Sequence, residues 1–232
     1  FNSKTSIENA TSKTIINQAQ LDVNKFKMKG KNGVESRYKK ERSKEYTPQI
    51  NELIKSKTII TSKKIDLDFE NNEQVIATYN EKVKVNQDKK SISSEVLNLN
   101  FLTNIYTASG NVTFSFEDLT WLKNRDKEYK NVKIKSMVRK KTDLSANSAQ
   151  FTKRGNQLKL NGNVTIRQLD FKLSCDSFVF DFNKDIITTS GNVIVEKFGI
   201  EHLNTSYLII DIKNETFKTG SSTELSEITI EL

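Results

Sequence analysis

A Gly-Asn-Val triplet that returns at a fixed interval limits the folds open to this chain. The triplet lies within three segments that alternate polar and apolar residues: ASGNVTFS (108–115), LNGNVTIR (160–167) and TTSGNVIV (188–195). Gly162 and Gly191 are 29 residues apart, as are Gly191 and Gly220, although the chain has only eight glycines. A constant period of this length is typical of a fold built from stacked structural units.

The same interval extends toward the N-terminus without its glycine. Glu81 lies 29 residues before Gly110, within the segment YNEKVKV (79–85). That segment keeps the apolar alternation of the Gly-Asn-Val units. We therefore predict that Glu81 occupies the position that glycine takes in the later units.

Two charged stretches interrupt the period. Gly110 and Gly162 are 52 residues apart, and the excess falls in the charged stretch 122–141. A similar stretch spans residues 33–52. We predict a single domain over residues 1–232, built from about five related units with charged insertions at about 33–52 and 122–141.

Each unit reads as a pair of β-strands. In DSFVFDF, Phe178, Phe180 and Phe182 share one face, and in GNVIVEK so do Val193 and Val195. Polar turn segments (NKD, KNE and RGN) separate such runs. Because glycine adopts positive φ at little cost and asparagine tolerates it, each Gly-Asn pair is predicted to bend its strand. The pattern predicts an all-β fold.

The composition offers little for catalysis or for metal binding. Cys175 is the only cysteine, so neither an intrachain disulfide nor a cysteine metal cluster can form, and we predict that it is buried in a strand. His202 is the only histidine and is predicted to lie at the surface. Asp66 and Asp68 share a strand face without a catalytic pattern, and no GxGxxG, GxSxG or P-loop motif is present. We predict no enzyme, no cofactor and no metal.

The segments YTASGNVTF, LKLNGNVTI and ITTSGNVIV, with the upstream elements SANSAQF and SCDSFVFDF, resemble the LptA/LptC/OstA family of lipopolysaccharide-transport proteins. The resemblance covers roughly residues 58–232. Glu81 in place of glycine, Ser221-Ser222 in place of Asn-Val, and the two insertions depart from the family pattern. The family fold is an open β-jellyroll, two antiparallel sheets folded like a taco around an apolar interior.

The resemblance implies a periplasmic carrier that shields the acyl chains of lipopolysaccharide or another anionic lipid. Its implied partners are inner-membrane LptC-like and outer-membrane LptD-like proteins, together with further copies of itself stacked end to end. The chain begins at Phe1, and no run approaches the roughly 18 apolar residues of a membrane span. If a cleaved signal preceded Phe1, the absence of an N-terminal membrane helix favours an LptA-like carrier over an LptC-like anchor.

Strand alternation supplies the candidate interior, because alternate residues of two facing sheets point into the space between them. The predicted lipid-binding residues are Val83, Val85, Val112, Phe114, Phe116, Leu158, Leu160, Val164, Ile166, Phe178, Phe180, Val193, Val195 and Ile209.

Two further expectations concern the surface. Basic side chains beside the repeated strands are predicted to meet anionic headgroups along the opening: Lys82, Lys84, Lys159 and Arg167. The terminal segments 14–30 and 221–232 are predicted to form the edge strands at which copies add to one another.

Two other functions fit parts of the sequence. An envelope structural repeat protein without lipid cargo would have the same strand pattern. The net charge of +8 and the basic clusters are features also found in nucleic-acid-binding proteins. No helix-turn-helix, RRM or zinc pattern accompanies them, and we therefore predict no nucleic-acid partner.

Overall fold

The computed structural model describes residues 4–8, 12–38, 57–70, 73–117, 119, 139–152, 156–220 and 225–228, and these form fifteen β-strands. The strands are β1 (Thr5–Glu8), β2 (Ser12–Asp22), β3 (Lys27–Tyr38), β4 (Thr58–Ser62), β5 (Lys64–Glu70), β6 (Glu73–Gln87), β7 (Lys90–Asn100), β8 (Ile105–Phe116), β9 (Thr142–Thr152), β10 (Gln157–Gln168), β11 (Phe171–Asp181), β12 (Ile186–Lys197), β13 (Ile200–Asp211), β14 (Thr216–Gly220) and β15 (Leu225–Ile228).

All strands belong to one antiparallel sheet in which neighbours in sequence are neighbours in space. The only departure is that β4 and β5 together form one rung, each pairing with β3 on one side and β6 on the other. The predicted all-β fold is therefore confirmed. The two predicted sheets are two layers of a single sheet, because the long strands each run through both layers.

The Gly-Asn pairs form the corners at which strands pass from one layer to the other. Gly110 and Asn111 have φ values of 76° and 49°, and the later Gly-Asn pairs adopt the same left-handed conformation. The pairing register shifts at each of these pairs, as expected for a bulge. Glu81 and Lys82 take the equivalent corner with φ values of 63° and 56°, as the 29-residue interval predicted for Glu81.

The intervening strands turn at corners of a different kind. The polar, exposed residues Glu95, Asn147 and Asp176 face Gly110, Gly162 and Gly191 across the ladder. A Cβ on Gly191 would lie 2.4 Å from Asp176 Oδ2. Glycine is therefore favoured at this corner for two reasons, the close approach of the neighbouring strand and the positive φ. The corners thus form a polar ridge along the outside of the bend.

The strand halves on either side of the ridge form two facing layers. Layer I contains the halves that end in the turns at 23–26, 101–104, 182–185 and 212–215; layer II contains those that end in the turns at 88–89, 169–170 and 198–199. The hydroxyls of Tyr38 in layer II and Tyr79 in layer I share a hydrogen bond of 2.8 Å. The layers therefore close on each other like a folded sheet, with the ridge on one side and two rows of turns, here termed lip I and lip II, on the other.

The sheet has two unlike ends. Among the described residues at the N-terminal end, β1 pairs with residues 13–16 of β2 and extends layer II. At the C-terminal end, β14 and β15 extend layer I alone, because β14 pairs only with residues 207–211 of β13. Among the described strands none joins β1 to β15, so the sheet is not closed into a barrel by strand pairing.

The structure revises the predicted insertions. Residues 33–38 belong to β3, so the first insertion does not begin at Gly33; residues 39–56 and 120–138 lie outside the described part of the chain. Both connections leave from strand halves of layer II, after Tyr38 and after Phe116. In the described ranges, no helix has the length and apolar character needed to span a membrane.

Candidate functional site

The inner face of layer I is organised in rows that run across the strands. The row beside the ridge, the ridge row, is buried throughout; its members in β7–β13 are Leu97, Ala108, Ala149, Leu160, Phe178, Thr189 and Leu208. These residues are covered by the facing layer. The part of the interior next to the ridge is therefore filled by the protein's own side chains.

The next row toward lip I is more open. We term it the seam row; it consists of Leu99, Tyr106, Phe151, Leu158, Phe180, Ile187 and Ile210. Of these, Tyr106, Phe151, Leu158, Ile187 and Ile210 are only partly buried while packing against the core. Five of the seven seam-row residues are thus more exposed than the ridge row, whereas Leu99 and Phe180 of this row, and Phe182 in a turn of lip I, are buried.

Aromatic rings form a continuous line along this side. Phe101, in a turn of lip I, packs on Tyr106 with ring centroids 6.0 Å apart, and Tyr106 packs on Phe151 at 6.3 Å. Phe151 contacts Phe182 edge-on at 6.3 Å, and Phe182 contacts Phe180 at 4.2 Å. Such rings offer large apolar area at fixed positions, a suitable surface for an extended hydrocarbon chain.

The N-terminal part of the interior is closed by polar groups. Tyr79 is fully buried in layer I and reaches Tyr38 across the interior, and Thr14 and Ser36 share a second hydrogen bond of 2.8 Å within layer II. Burial, with a further contribution from Tyr38, holds the pKa of Tyr79 well above its ordinary value, so this phenol stays protonated at neutral pH. The ring of Tyr38 packs on Phe101 at 6.0 Å, where the aromatic line begins.

Thirteen of the fourteen predicted interior residues face inward and belong to the core or pack against it; they are Val83, Val85, Val112, Phe114, Phe116, Leu158, Leu160, Val164, Ile166, Phe178, Phe180, Val193 and Val195. The prediction that Ile209 faces the interior is wrong. Leu208 and Ile210 face inward, so Ile209 between them lies on the outer face, paired with Thr188 and Lys218.

The predicted headgroup cations are not grouped along the opening. Lys82 lies on the ridge, and Lys84 and Lys159 alternate with inward-facing residues and so occupy outer faces. Only Arg167 lies near a lip, one strand position from Gln168 at the end of β10. Strand alternation predicts that these side chains point outward, but it does not predict how far they lie from the opening between the two lips.

The two remaining candidate side chains differ in burial. Cys175 is buried in β11, and burial, with a smaller effect of Asp176, raises the pKa of its thiol to about 12. His202 is exposed on β13. Within the described residues, no group of three or more His, Cys, Asp or Glu side chains is placed to hold a metal ion.

Sequence comparisons return neither a matching family model nor a matching curated protein. Among solved structures, the chain is similar to LptH from Pseudomonas aeruginosa, described as the LptA homologous periplasmic component of the conserved lipopolysaccharide transport device. The match has a TM-score of 0.41 at 13% identity, and covers 58% of this chain and 82% of that one. The fold of this chain is established by the strand pairing described above.

Sequence reasoning missed most of the seam row, although the repeat contains the signal for it. Tyr106, Leu158 and Ile187 each lie four residues before the corner glycine of their unit. Of these only Leu158 was predicted as an interior residue. Applying the repeat offset to all units would have identified the other two. Phe151 and Ile210 lie on strands without a Gly-Asn corner and carry no such marker.

Proposed function

We propose that this chain is a non-enzymatic periplasmic carrier that shelters the acyl chains of an anionic amphiphile, lipopolysaccharide or a related lipid, along the seam between its layers. The observation that carries the proposal is the contrast between two rows of the interior: the ridge row is buried throughout, whereas five of the seven seam-row residues, all of them aliphatic or aromatic, are only partly buried. The sequence resemblance supplies the class of cargo and the compartment.

The free energies involved require such a seam. Removing one methylene from water is worth about 0.8 kcal/mol, so a twelve-carbon chain represents on the order of 9 kcal/mol. A lipid crossing an aqueous compartment therefore needs an apolar cover throughout. Because a chain that leaves a bilayer is already in hydrocarbon, its transfer to the seam releases little free energy, and we propose a passive conduit driven by an energy-consuming partner.

We place the cargo in the stretch from β7 to β13. Here the inner faces are mostly apolar, and the hydrogen bonds from Gln168 to Thr142 and from Thr189 to Leu208 each join residues of one layer. In the N-terminal rungs, by contrast, the Tyr38–Tyr79 bond ties the layers together. A chain lying over the seam row would extend the covered surface without displacing the ridge row.

We further propose that copies stack end to end, with LptC-like and LptD-like proteins at the two ends of the assembly. The unequal ends support this arrangement, since layer I projects at the C-terminal end and layer II at the N-terminal end. In layer II, residues 200–205 of β13 form an edge that a strand of a neighbouring copy would extend.

Site-specific photo-crosslinking in cells tests the cargo. A photoreactive amino acid at Ile187, in the seam row, should give adducts with lipid, while the same group at Ile209, on the outer face, should not. Adducts only to neighbouring side chains at Ile187, or equal lipid adducts at both positions, would contradict the proposal. The first outcome would favour an envelope scaffold whose layers pack on each other alone.

A further inference from the structure

Two adjacent hairpin turns on lip II carry exposed apolar side chains. Leu169, in the turn between β10 and β11, is 98% exposed, and Phe198 and Ile200, at the turn between β12 and β13, are 74% and 65% exposed. Single apolar residues on a surface are ordinary, but three on neighbouring tips form a patch. We term these three residues the tip patch.

The turns that present the tip patch are held in place by the backbone. Phe198 N donates to Asp170 O at 2.8 Å, which ties the second turn to the first. Phe198 and Gly199 have φ values of 52° and 79°, the pattern of a tight two-residue hairpin turn. The hydrogen-bonded turns therefore hold the apolar side chains of the patch in place. Because the N–H group of Phe198 already donates to Asp170, it cannot pair with an added strand.

Basic residues surround the patch. A surface depression of about 730 Å³ lies beside it, and the charged residues lining it or next to it are Lys140, Lys141, Arg167, Lys172 and Lys197, against Asp143, Asp170, Glu196 and Glu201.

Three of the lysines are in ion pairs, Lys140 with Asp170, Lys141 with Asp143, and Lys172 with Glu196. Arg167 and Lys197 form no ion pair among the described residues, and Lys197 Nζ lies 5.8 Å from the centre of the Phe198 ring. The surroundings of the patch thus keep a positive excess beside its apolar tips.

We propose that the tip patch and its basic surroundings dock the protein on the surface of an anionic lipid bilayer. Apolar side chains on rigid turns enter the boundary between headgroups and acyl chains, where no matching protein surface is needed. Unpaired cations beside them lie at the level of the anionic headgroups. Leu169 points away from the interior, so this contact is separate from the seam and does not depend on the proposed cargo.

Sedimentation with vesicles tests the docking. The full chain should bind vesicles of 70% phosphatidylcholine and 30% phosphatidylglycerol, and bind phosphatidylcholine vesicles much more weakly. The double variant Leu169→Ser/Phe198→Asn should bind the anionic vesicles at least about tenfold more weakly, because each apolar tip contributes through its buried area. Asparagine suits the positive φ at position 198, so the turn itself should be kept.

A matched control variant exists on the opposite lip. Leu102 and Phe26 are also exposed turn residues, and Phe26 likewise has positive φ, at 51°. Leu102→Ser/Phe26→Asn should leave vesicle binding within about twofold of the parent, because neither residue is near the patch. An equal loss in both double variants would contradict the assignment to lip II.

The contribution of the basic residues and the depth to which the tips enter the bilayer can each be measured. Arg167→Gln and Lys197→Gln should each lower binding to anionic vesicles by about fivefold and leave binding to neutral vesicles unchanged. An NBD fluorophore on a cysteine at position 198 should brighten and be quenched by spin-labelled lipid, whereas one at position 102 should not.

The absence of vesicle binding by the parent chain would overturn the proposal and assign the patch to a protein partner. Failure of the cargo proposal would be seen separately, since the seam variants Leu158→Lys and Ile187→Lys should lose cargo while still binding vesicles.

Discussion

The N-terminal rungs and the C-terminal rungs share one architecture but hold their two layers together differently. In the N-terminal rungs, a buried tyrosine reaches across the interior to a second tyrosine, Tyr79 to Tyr38. Along β9–β12 the facing inner surfaces are mostly apolar, and the hydrogen bonds from Gln168 to Thr142 and from Thr189 to Leu208 each join residues of one layer. A polar bond has a fixed length and direction, while apolar surfaces tolerate an inserted hydrocarbon chain. Under the proposed function, the C-terminal rungs would admit the lipid, while the Tyr38–Tyr79 bond holds the layers together in the N-terminal rungs.

The largest expected effects come from matched cavities in the two regions. Leu67 in β5 and Leu160 in β10 are both fully buried in layer I. Each leucine-to-alanine change should lower the free energy of unfolding by about 2–5 kcal/mol, measured by urea denaturation. Adding the cargo amphiphile should stabilise Leu160→Ala more than Leu67→Ala, because binding stabilises both folded variants and only in Leu160→Ala can the acyl chain also fill the cavity beside the seam row. Equal rescue of both would show that the regions do not differ in access.

Cysteine reactivity compares the opening of the two regions directly. Cys175 is buried on the inner face of β11, and Ala77 is buried on the inner face of β6. A thiol reagent should modify Cys175 at least about tenfold faster than a cysteine in Ala77→Cys/Cys175→Ser, because local opening limits the reaction at both sites. Unfolding both proteins first should abolish the difference. A faster reaction at position 77 would reverse the comparison.

Removing the polar bond should loosen the N-terminal region. Tyr79→Phe deletes one hydroxyl of the interlayer pair and should cost about 1 kcal/mol of stability. Tyr207→Phe is the control, since its hydroxyl makes no hydrogen bond among the described residues. Cysteine labelling at position 77 should become faster in Tyr79→Phe and stay unchanged in Tyr207→Phe.

The same tyrosine predicts a dependence on alkaline pH. The pKa of Tyr79 is raised in the folded state above its ordinary value of 10.0, mainly by burial, so the folded protein retains a proton that the unfolded chain releases. The stability it contributes is present below pH 10.0 and is lost as the pH rises toward the folded-state pKa. The slope of unfolding free energy against pH above that value should be shallower in Tyr79→Phe.

The smallest effect concerns the corners. Lys82 and Asn163 occupy equivalent corner positions, with φ values of 56° and 50°. Because lysine is strained in this conformation and asparagine less so, Lys82→Asn should stabilise the protein by about 0.5–1 kcal/mol. Asn163→Lys should destabilise it by a similar amount. A lower melting temperature for Lys82→Asn, or a higher one for Asn163→Lys, would show that the two corners are not equivalent.

The sequence was sufficient for features that repeat locally. The 29-residue interval predicted the corners, including the corner at Glu81, where no glycine marks it. It did not predict the corner at Asn32 and Gly33, which also has positive φ, because the residue order is reversed and the segment appeared to belong to a charged insertion. Strand alternation likewise placed most interior residues correctly.

Features that depend on contacts between layers were not predicted. Tyr38 and Tyr79 are separated by 41 residues, and nothing in either strand indicates that they meet. Ile209 was assigned to the wrong face because β13 bends near Ser206. Before the bend the odd-numbered residue Leu203 faces inward, and after it the even-numbered residue Leu208 does. Alternation counted along a strand cannot detect a shift made by its bend.

Native mass spectrometry of the full chain, purified without detergent from the envelope of cells that produce it, tests the central claim most directly. We predict a population that carries a bound anionic lipid with acyl chains, and we predict its loss in Leu158→Lys and Ile187→Lys but not in the outer-face variant Ile209→Lys. A parent protein that carries no lipid, or one whose lipid is retained equally by all three variants, would contradict the claim that the seam shelters hydrocarbon chains.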